Sequence, residues 1–307
     1  MNDMPSGPFG RCAAAMITPF TKDGGAVDLP GAQRLATHLV DRGGCDALVL
    51  SGTTGESPTT TDAEKAALVR AVAEAVGDRA TVVAGVGTAD TRHSAELARA
   101  ARAAGADGLL VVTPYYSRPT QEAIVHHLRT VADAGELPVM LYDIPARTGN
   151  GTALTVDSLR RLAEHPGIVA VKDCSFDLLK AGLVLNATDL AYYCGSDEVT
   201  LPLLSIGASG CVSTAANVAG RQVRAVLDAF AAGDTGEAAR RHRALLPLVD
   251  ALMNEVPGTV AVKALFRVAG LPGGPVRGPL LEAGEELTAR LAETLGEVLR
   301  SDKVAAS

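Results

Sequence analysis

The chain has 307 residues and a formal net charge of -7; it is 47% hydrophobic, 21% charged and only 3% aromatic. That is the composition of a soluble globular protein with material for one large domain or two ordinary ones, and a single α/β barrel of about 250 residues falls within those bounds. The acidic balance and the absence of Lys/Arg-rich runs exclude nucleic acid or an anionic membrane surface as the main partner, and no stretch of about 18 apolar residues predicts a membrane span.

Met1 to Arg11 is polar, rich in Gly and Pro, and lacks the basic start and apolar stretch of a signal peptide. Short apolar runs then recur: Ala13–Thr18, Asp46–Ser51, Thr81–Gly85, Gly108–Thr113, Val139–Asp143, Ile168–Lys172, Leu190–Cys194 and Gly210–Ser213. They begin roughly 20 to 35 residues apart, the length of a strand-loop-helix-loop unit, and their continuous apolar character predicts parallel strands covered on both faces. Between them, Thr61-Asp62-Ala63-Glu64 has the pattern of a capping box opening a helix to Val76, with Gly77 as its stop. Thr91–Ala104 ends at Gly105 in the same manner. Eight such units with right-handed crossovers predict a (β/α)8 barrel over residues 1–232. An open doubly wound sheet is disfavoured, since no Gly-x-Gly-x-x-Gly follows the first strand. Beyond Gly233 the patterns at Glu237–Met253, Thr259–Gly270 and Gly284–Leu299 predict a helical region over 233–307. Cys12, Cys45, Cys174, Cys194 and Cys211 are dispersed without metal-ligand spacing, which predicts reduced core thiols in a cytoplasmic protein.

In a barrel of this kind the active site lies where strands end. The sixth run, Ile168-Val169-Ala170-Val171-Lys172-Asp173, ends an apolar strand with one ammonium. Burial lowers an amine's pKa from a reference near ~10.4, and bringing it close to neutrality takes about 3 units, or ~4 kcal/mol. Such a lysine is a nucleophile for Schiff-base chemistry; the alternatives are a side chain that snorkels to the surface or one paired with Asp173. Other strand ends supply possible neighbours. Ser51-Gly52-Thr53-Thr54-Gly55-Glu56-Ser57 is a tight turn with exposed N–H groups and two hydroxyls that suit a carboxylate, or simply a turn. All five tyrosines fall at strand ends: Tyr115 and Tyr116, Tyr142, and Tyr192 and Tyr193, the last two expected to cap the core. Arg147 follows Tyr142 by five residues and offers a guanidinium fork for a carboxylate. With no His/Glu metal cluster, this inventory fits Schiff-base chemistry on an α-keto acid without a metal or other cofactor.

These residues resemble the pyruvate-dependent class I aldolases and lyases, a family that includes dihydrodipicolinate synthase and N-acetylneuraminate lyase. Gly52-Thr53-Thr54-Gly55-Glu56-Ser57, Thr113-Pro114-Tyr115-Tyr116, Tyr142-Asp143-Ile144-Pro145, Val171-Lys172-Asp173 and Gly195-Ser196-Asp197 match its motifs in order, over the whole chain. The resemblance implies that Lys172 forms the imine and that Tyr142 is the general acid/base, linked through Thr53 to a Tyr116 reaching in from another subunit. It further implies that Thr54 binds the pyruvate carboxylate, with Gly195 and Val212 beside the lysine. Tyr-x-x-Pro-x-Arg-Thr-Gly around Arg147 resembles the synthase branch. That implies condensation of pyruvate with L-aspartate 4-semialdehyde in lysine and diaminopimelate biosynthesis, by a homotetramer built as a dimer of dimers. An aldolase of the same family acting on a sugar acid or hydroxy-keto acid is the alternative, and a non-catalytic binding barrel a third. Three places depart from the family's pattern. Asp143 stands where asparagine is commoner, Cys174-Ser175-Phe176 replaces a small residue with a Thr/Ser-Gly pair, and Asn-Pro-x-Pro-x-Lys is reduced to Pro257-Gly258-Thr259-Val260-Ala261-Val262-Lys263. Lysine-inhibited relatives carry a histidine pair and a glutamate where this chain has Asp62, Lys65 and His93, which implies weak or absent feedback by lysine.

Overall fold

The protein is described by a computed structural model over residues 7–305, with the side chains of 150 and 301–305 left aside. Residues 1–6, part of the segment read above for targeting marks, lie outside the described residues.

Strands and helices alternate from the start: β1 (Cys12–Ala15), α1 (Leu29–Asp41), β2 (Ala47–Leu50), α2 (Asp62–Val76), β3 (Thr81–Gly85), α3 (Thr91–Ala103), β4 (Gly108–Val112) and α4 (Gln121–Gly135). They continue through β5 (Val139–Asp143), the single turn α5 (Pro145–Thr148), α6 (Val156–Ala163), β6 (Ile168–Asp173), α7 (Leu178–Ala187), β7 (Ala191–Cys194), α8 (Thr200–Ser205), β8 (Gly210–Ser213) and α9 (Ala216–Ala231). Each strand pairs in parallel with the next and β8 pairs with β1, so the sheet closes into the expected barrel. Three helices follow: α10 (Thr235–Met253), α11 (Gly258–Ala269) and α12 (Glu285–Ala305). Among the described residues no single helix is long and apolar enough to cross a membrane.

The capping box at α2 forms as its residues predict: the Glu64 amide donates to Thr61 Oγ1 at 3.2 Å, and the Thr61 amide donates to Glu64 Oε2 at 2.8 Å. β1 ends furthest short of its apolar run, which continues to Thr18. β1 stops at Ala15 because a side chain from α9 replaces the neighbouring strand: Asn217 Nδ2 donates to the Ala15 carbonyl at 2.9 Å, and the Ile17 amide donates to Asn217 Oδ1 at 3.2 Å.

Period-two alternation divides the apolar residues between two cores. Outward positions such as Leu48, Leu109, Leu141 and Val171 pack under the helices. Inward positions form a separate interior in which Ala13, Ala15, Ala47 and Ala170 are small, while Phe9 and Tyr193, with ring centroids 6.3 Å apart, fill it below. The Tyr193 hydroxyl accepts from the Phe9 amide at 3.1 Å and donates to the Gly10 carbonyl at 2.9 Å, so the segment before β1 plugs the lower end of the barrel. The small residues above that plug leave room at the upper end, where the strands finish.

His127 fastens the outer layer. It is buried on α4, its Nδ1 lies 2.8 Å from Thr91 Oγ1 at the start of α3, and burial pushes its pKa down to about 4. An unfolded chain takes up this proton near pH 6.5, so His127 contributes stability that is complete above that pH and is lost as pH falls from 6.5 to 4. The loss at pH 4 is on the order of 3 kcal/mol. Urea-unfolding free energies at pH 7 and pH 4 will differ less in His127→Gln than in the unaltered protein.

Candidate active site

Tyr142 on β5 and Lys172 on β6 sit opposite one another in the sheet register, and both point into the barrel. The Lys172 ammonium lies 4.1 Å from the centre of the Tyr142 ring, and the side chain is only 5% exposed. Among the described residues no hydrogen bond or ion pair anchors it. Burial is the largest influence on its pKa and lowers it, opposed by the nearby Cys174 thiol and Asp197 carboxyl. Both bland alternatives for this lysine fail on geometry. It does not reach the surface, and Asp173, one residue on, faces the opposite side of the sheet.

The Gly52–Glu56 turn follows β2 and overhangs this pair. Thr53 Oγ1 approaches the Tyr142 hydroxyl at 3.5 Å, and Thr54 Oγ1 lies 3.3 Å from Thr214 Oγ1. Burial, as the largest cause, pushes the Tyr142 phenol well above its ordinary pKa, while the hydroxyl of Thr53 pulls the other way. Gly195 after β7 is glycine because a Cβ there would stand 2.8 Å from Lys172 Cε and 2.9 Å from its Cγ. Val212 is buried in the same interior on β8. Asp197 Oδ2 accepts from the amides of Thr214 and Ala215 at 3.0 and 2.9 Å, fixing the loop beyond β8 beside the lysine.

A cavity of about 440 Å³ opens from Tyr142 past Gly52, Thr53, Tyr115 and Arg147 toward Asp62, Lys65 and His93. Arg147 stands exposed at its rim, with no side-chain partner among the described residues. Tyr116 is not brought to the site within one chain: it has φ +73° and is 93% exposed. No group of His, Cys, Asp or Glu among the described residues is arranged to hold a metal ion.

Behind the site, the residues that follow Tyr142 and Lys172 on their strands turn outward together. Lys180 on α7 reaches Asp143 Oδ2 at 2.6 Å and Asp173 Oδ1 at 3.8 Å, and the Tyr192 hydroxyl donates to Asp173. Tyr192 is therefore a hydrogen-bonding member of this cluster as well as a core residue. Burial pushes the Asp143 carboxyl up, with the Lys180 ammonium pulling it back.

A buried, unanchored amine under a phenol, at the mouth of a closed β/α barrel, defines a Schiff-base-forming enzyme of the aldolase and lyase class. The model of the dihydrodipicolinate synthetase family matches residues 8–298. The chain is 65% identical over 297 residues to 4-hydroxy-tetrahydrodipicolinate synthase 1 of Streptomyces coelicolor, covering 96% of each, and 59% identical over 288 residues to the corresponding synthase of Acidothermus cellulolyticus, covering 94% and 92%. A dihydrodipicolinate synthase from Cyanidioschyzon merolae, solved with lysine bound, superposes with a TM-score of 0.90 at 38% identity, over 94% of this chain and 98% of that one. The chain belongs to the dihydrodipicolinate synthetase family, and is an enzyme of the carbon–carbon lyase type.

Sequence reasoning missed Thr214 and Lys180. Thr214 follows the end of β8, so a scan of all strand-end hydroxyls would have included it. Lys180 explains the departure at Asp143, since a cation is present to hold the extra carboxylate. Lys180→Met leaves Asp143 and Asp173 buried without their cation and will lower stability by about 3–5 kcal/mol. Adding Asp143→Asn will restore much of that loss, as urea-unfolding midpoints at neutral pH will report.

Proposed function

We propose that this chain is a 4-hydroxy-tetrahydrodipicolinate synthase that condenses pyruvate with L-aspartate 4-semialdehyde through an imine on Lys172. The observation that carries the reading is the buried Lys172 amine, free of any anchoring partner among the described residues and set beneath the Tyr142 phenol. The amine adds to the pyruvate ketone and water leaves, giving the imine. Loss of a proton from the methyl carbon yields an enamine that attacks the aldehyde, and the amino group of the product then displaces the lysine as the ring closes.

In this reading Thr54 and the turn amides take the pyruvate carboxylate, and Gly195 leaves space for the adduct. The Val212 carbonyl faces the imine. Tyr142 moves the protons, held by Thr53, with Tyr116 supplied by a second copy of the chain; its exposure and outward course support that role. Arg147 takes the semialdehyde carboxylate, supported by its open position on the cavity rim. The chemistry needs no metal, because the lysine itself supplies the electron sink. The assembly is a tetramer built from dimers, a reading supported by the apolar face that Leu178, Leu179 and Leu183 expose on α7. Residues 1–232 form the catalytic barrel and 233–307 a helical region. The enzyme works in the cytoplasm, where its five unpaired, buried cysteines stay reduced.

Borohydride added with pyruvate will fix an adduct on the peptide carrying Lys172, read by mass spectrometry, and none in Lys172→Ala. Arg147→Ala will raise KM for aspartate semialdehyde about 10–100-fold, as loss of a charge-assisted contact implies, with KM for pyruvate little changed. Turnover of sugar aldehydes in preference to the semialdehyde would sink the assignment.

Feedback by lysine is weak or absent. Where a lysine ligand would enter, Lys65 places a cation, its Nζ donating to the Thr60 carbonyl at 2.5 Å, and the Asp62 carboxylate is engaged by His93 at 2.9 Å. Initial rates at subsaturating pyruvate will change less than about twofold across millimolar lysine, the range in which a coupling of 1–3 kcal/mol would be evident.

A further inference from the structure

The carboxylate-binding turn does not stand on the barrel alone. Its last residue, Glu56, sits in the left-handed region at φ +55°, which favours glycine and asparagine, and is 3% exposed, an unusual place for a charged residue. Its carboxylate is gripped from two sides. Lys263 Nζ lies 2.6 Å from Oε1, both side chains being almost fully buried, and the Arg277 amide donates to Oε2 at 2.8 Å.

Lys263 is the surviving lysine of the reduced motif at 257–263, and it is held from behind: Nζ donates to the Pro275 carbonyl at 2.8 Å and lies 4.1 Å from the centre of the Phe20 ring. One helical turn earlier, on the same face of α11, Thr259 Oγ1 donates to the Thr54 carbonyl at 3.1 Å. A single helix thus grips the turn twice, at the backbone of Thr54 and at the side chain of Glu56.

We infer that Lys263 is a positioning residue for the keto acid. Through Glu56 it holds the Gly52–Glu56 turn in the shape whose amides and Thr54 hydroxyl receive a small α-keto carboxylate. The inference rests on the reading that this turn binds the pyruvate carboxylate, and it assigns the C-terminal helices a part in substrate affinity.

Lys263→Met keeps the length of the side chain and removes its charge. Borohydride trapping at graded pyruvate concentrations is the readout, since it needs no second substrate. In Lys263→Met, half-maximal labelling of Lys172 is expected to move to at least tenfold higher pyruvate, with complete labelling still reached at saturation. Steady-state kinetics will show the same split, with KM for pyruvate raised and KM for the semialdehyde within about twofold, as expected when only ground-state positioning of one substrate is lost. Glu56→Gln will act alike, and the double variant will be no worse than either single one because both remove the same contact. If Lys263→Met does not fold, the double variant, which leaves no unpaired buried charge, carries the same measurement. Unchanged half-saturation in a folded variant, or equal loss of affinity for both substrates, overturns the inference while leaving the imine mechanism in place. No adduct in the unaltered protein would remove the mechanism and this inference together.

Discussion

Lys172 lies next to the end of its strand inside a closed barrel, where desolvation works against its ammonium form and the nearby Asp197 carboxyl opposes that without forming an ion pair to it among the described residues. Around that amine the interior is arranged to leave space and withhold partners. Alanines line the barrel below, Gly195 lies against the lysine chain itself, and the nearest aromatic presents its face and a phenol in place of a fixed charge. A salt bridge would make the amine permanently cationic and useless as a nucleophile. The residue best able to form one, Asp173, is the next in sequence, and strand geometry sends it through the sheet to the other side.

That same alternation supplies the support. Tyr142 and Lys172 face in, Asp143 and Asp173 face out, and the outward pair is drawn together by Lys180 with Tyr192 behind it. The two inward groups inherit their spacing from a charged cluster they never touch. Lys180 is held between two buried carboxylates, whereas Lys172 is paired with neither of them. The enzyme uses both arrangements within one sheet, separated by the thickness of the backbone.

Much of this was legible in the sequence, because parallel barrel strands are continuous apolar runs and the runs here are separated by capped helices. The capping box at Thr61 and the strand-end positions of Tyr142 and Lys172 follow from local pattern alone. The end of β1 does not, since Met16-Ile17 continues the apolar run while Asn217, some 200 residues away, has taken over the pairing. Lys180 was open to the argument that singled out Lys172: it too is a lone cation among leucines and alanines, in Leu178-Leu179-Lys180-Ala181. Its surroundings read as a helix surface, where lysines are commonplace, and only the tertiary meeting with Asp143 makes it a core residue. Thr214 carries no distinguishing pattern, as a threonine after a strand is ordinary until Thr54 is brought beside it.

Barrels of this architecture serve many chemistries, so the strands alone do not fix what is bound. In the proposed mechanism the chemistry and the affinity have different origins in the chain. The amine and phenol belong to β5 and β6, whose register is fixed by the sheet. The Thr53–Thr54 turn leaves β2 on a backbone that includes left-handed Ser51 and Glu56, and such a conformation persists only where surrounding contacts over-determine it. Those contacts come from Thr18 Oγ1, which donates to the Gly55 carbonyl at 2.6 Å, and from α11 together with the loop that follows it. The C-terminal helices are therefore more than packing on a finished barrel. They complete the wall behind the Thr53–Thr54 turn, and in the proposed reading of that turn a change confined to the last quarter of the chain reaches substrate affinity without touching the imine chemistry.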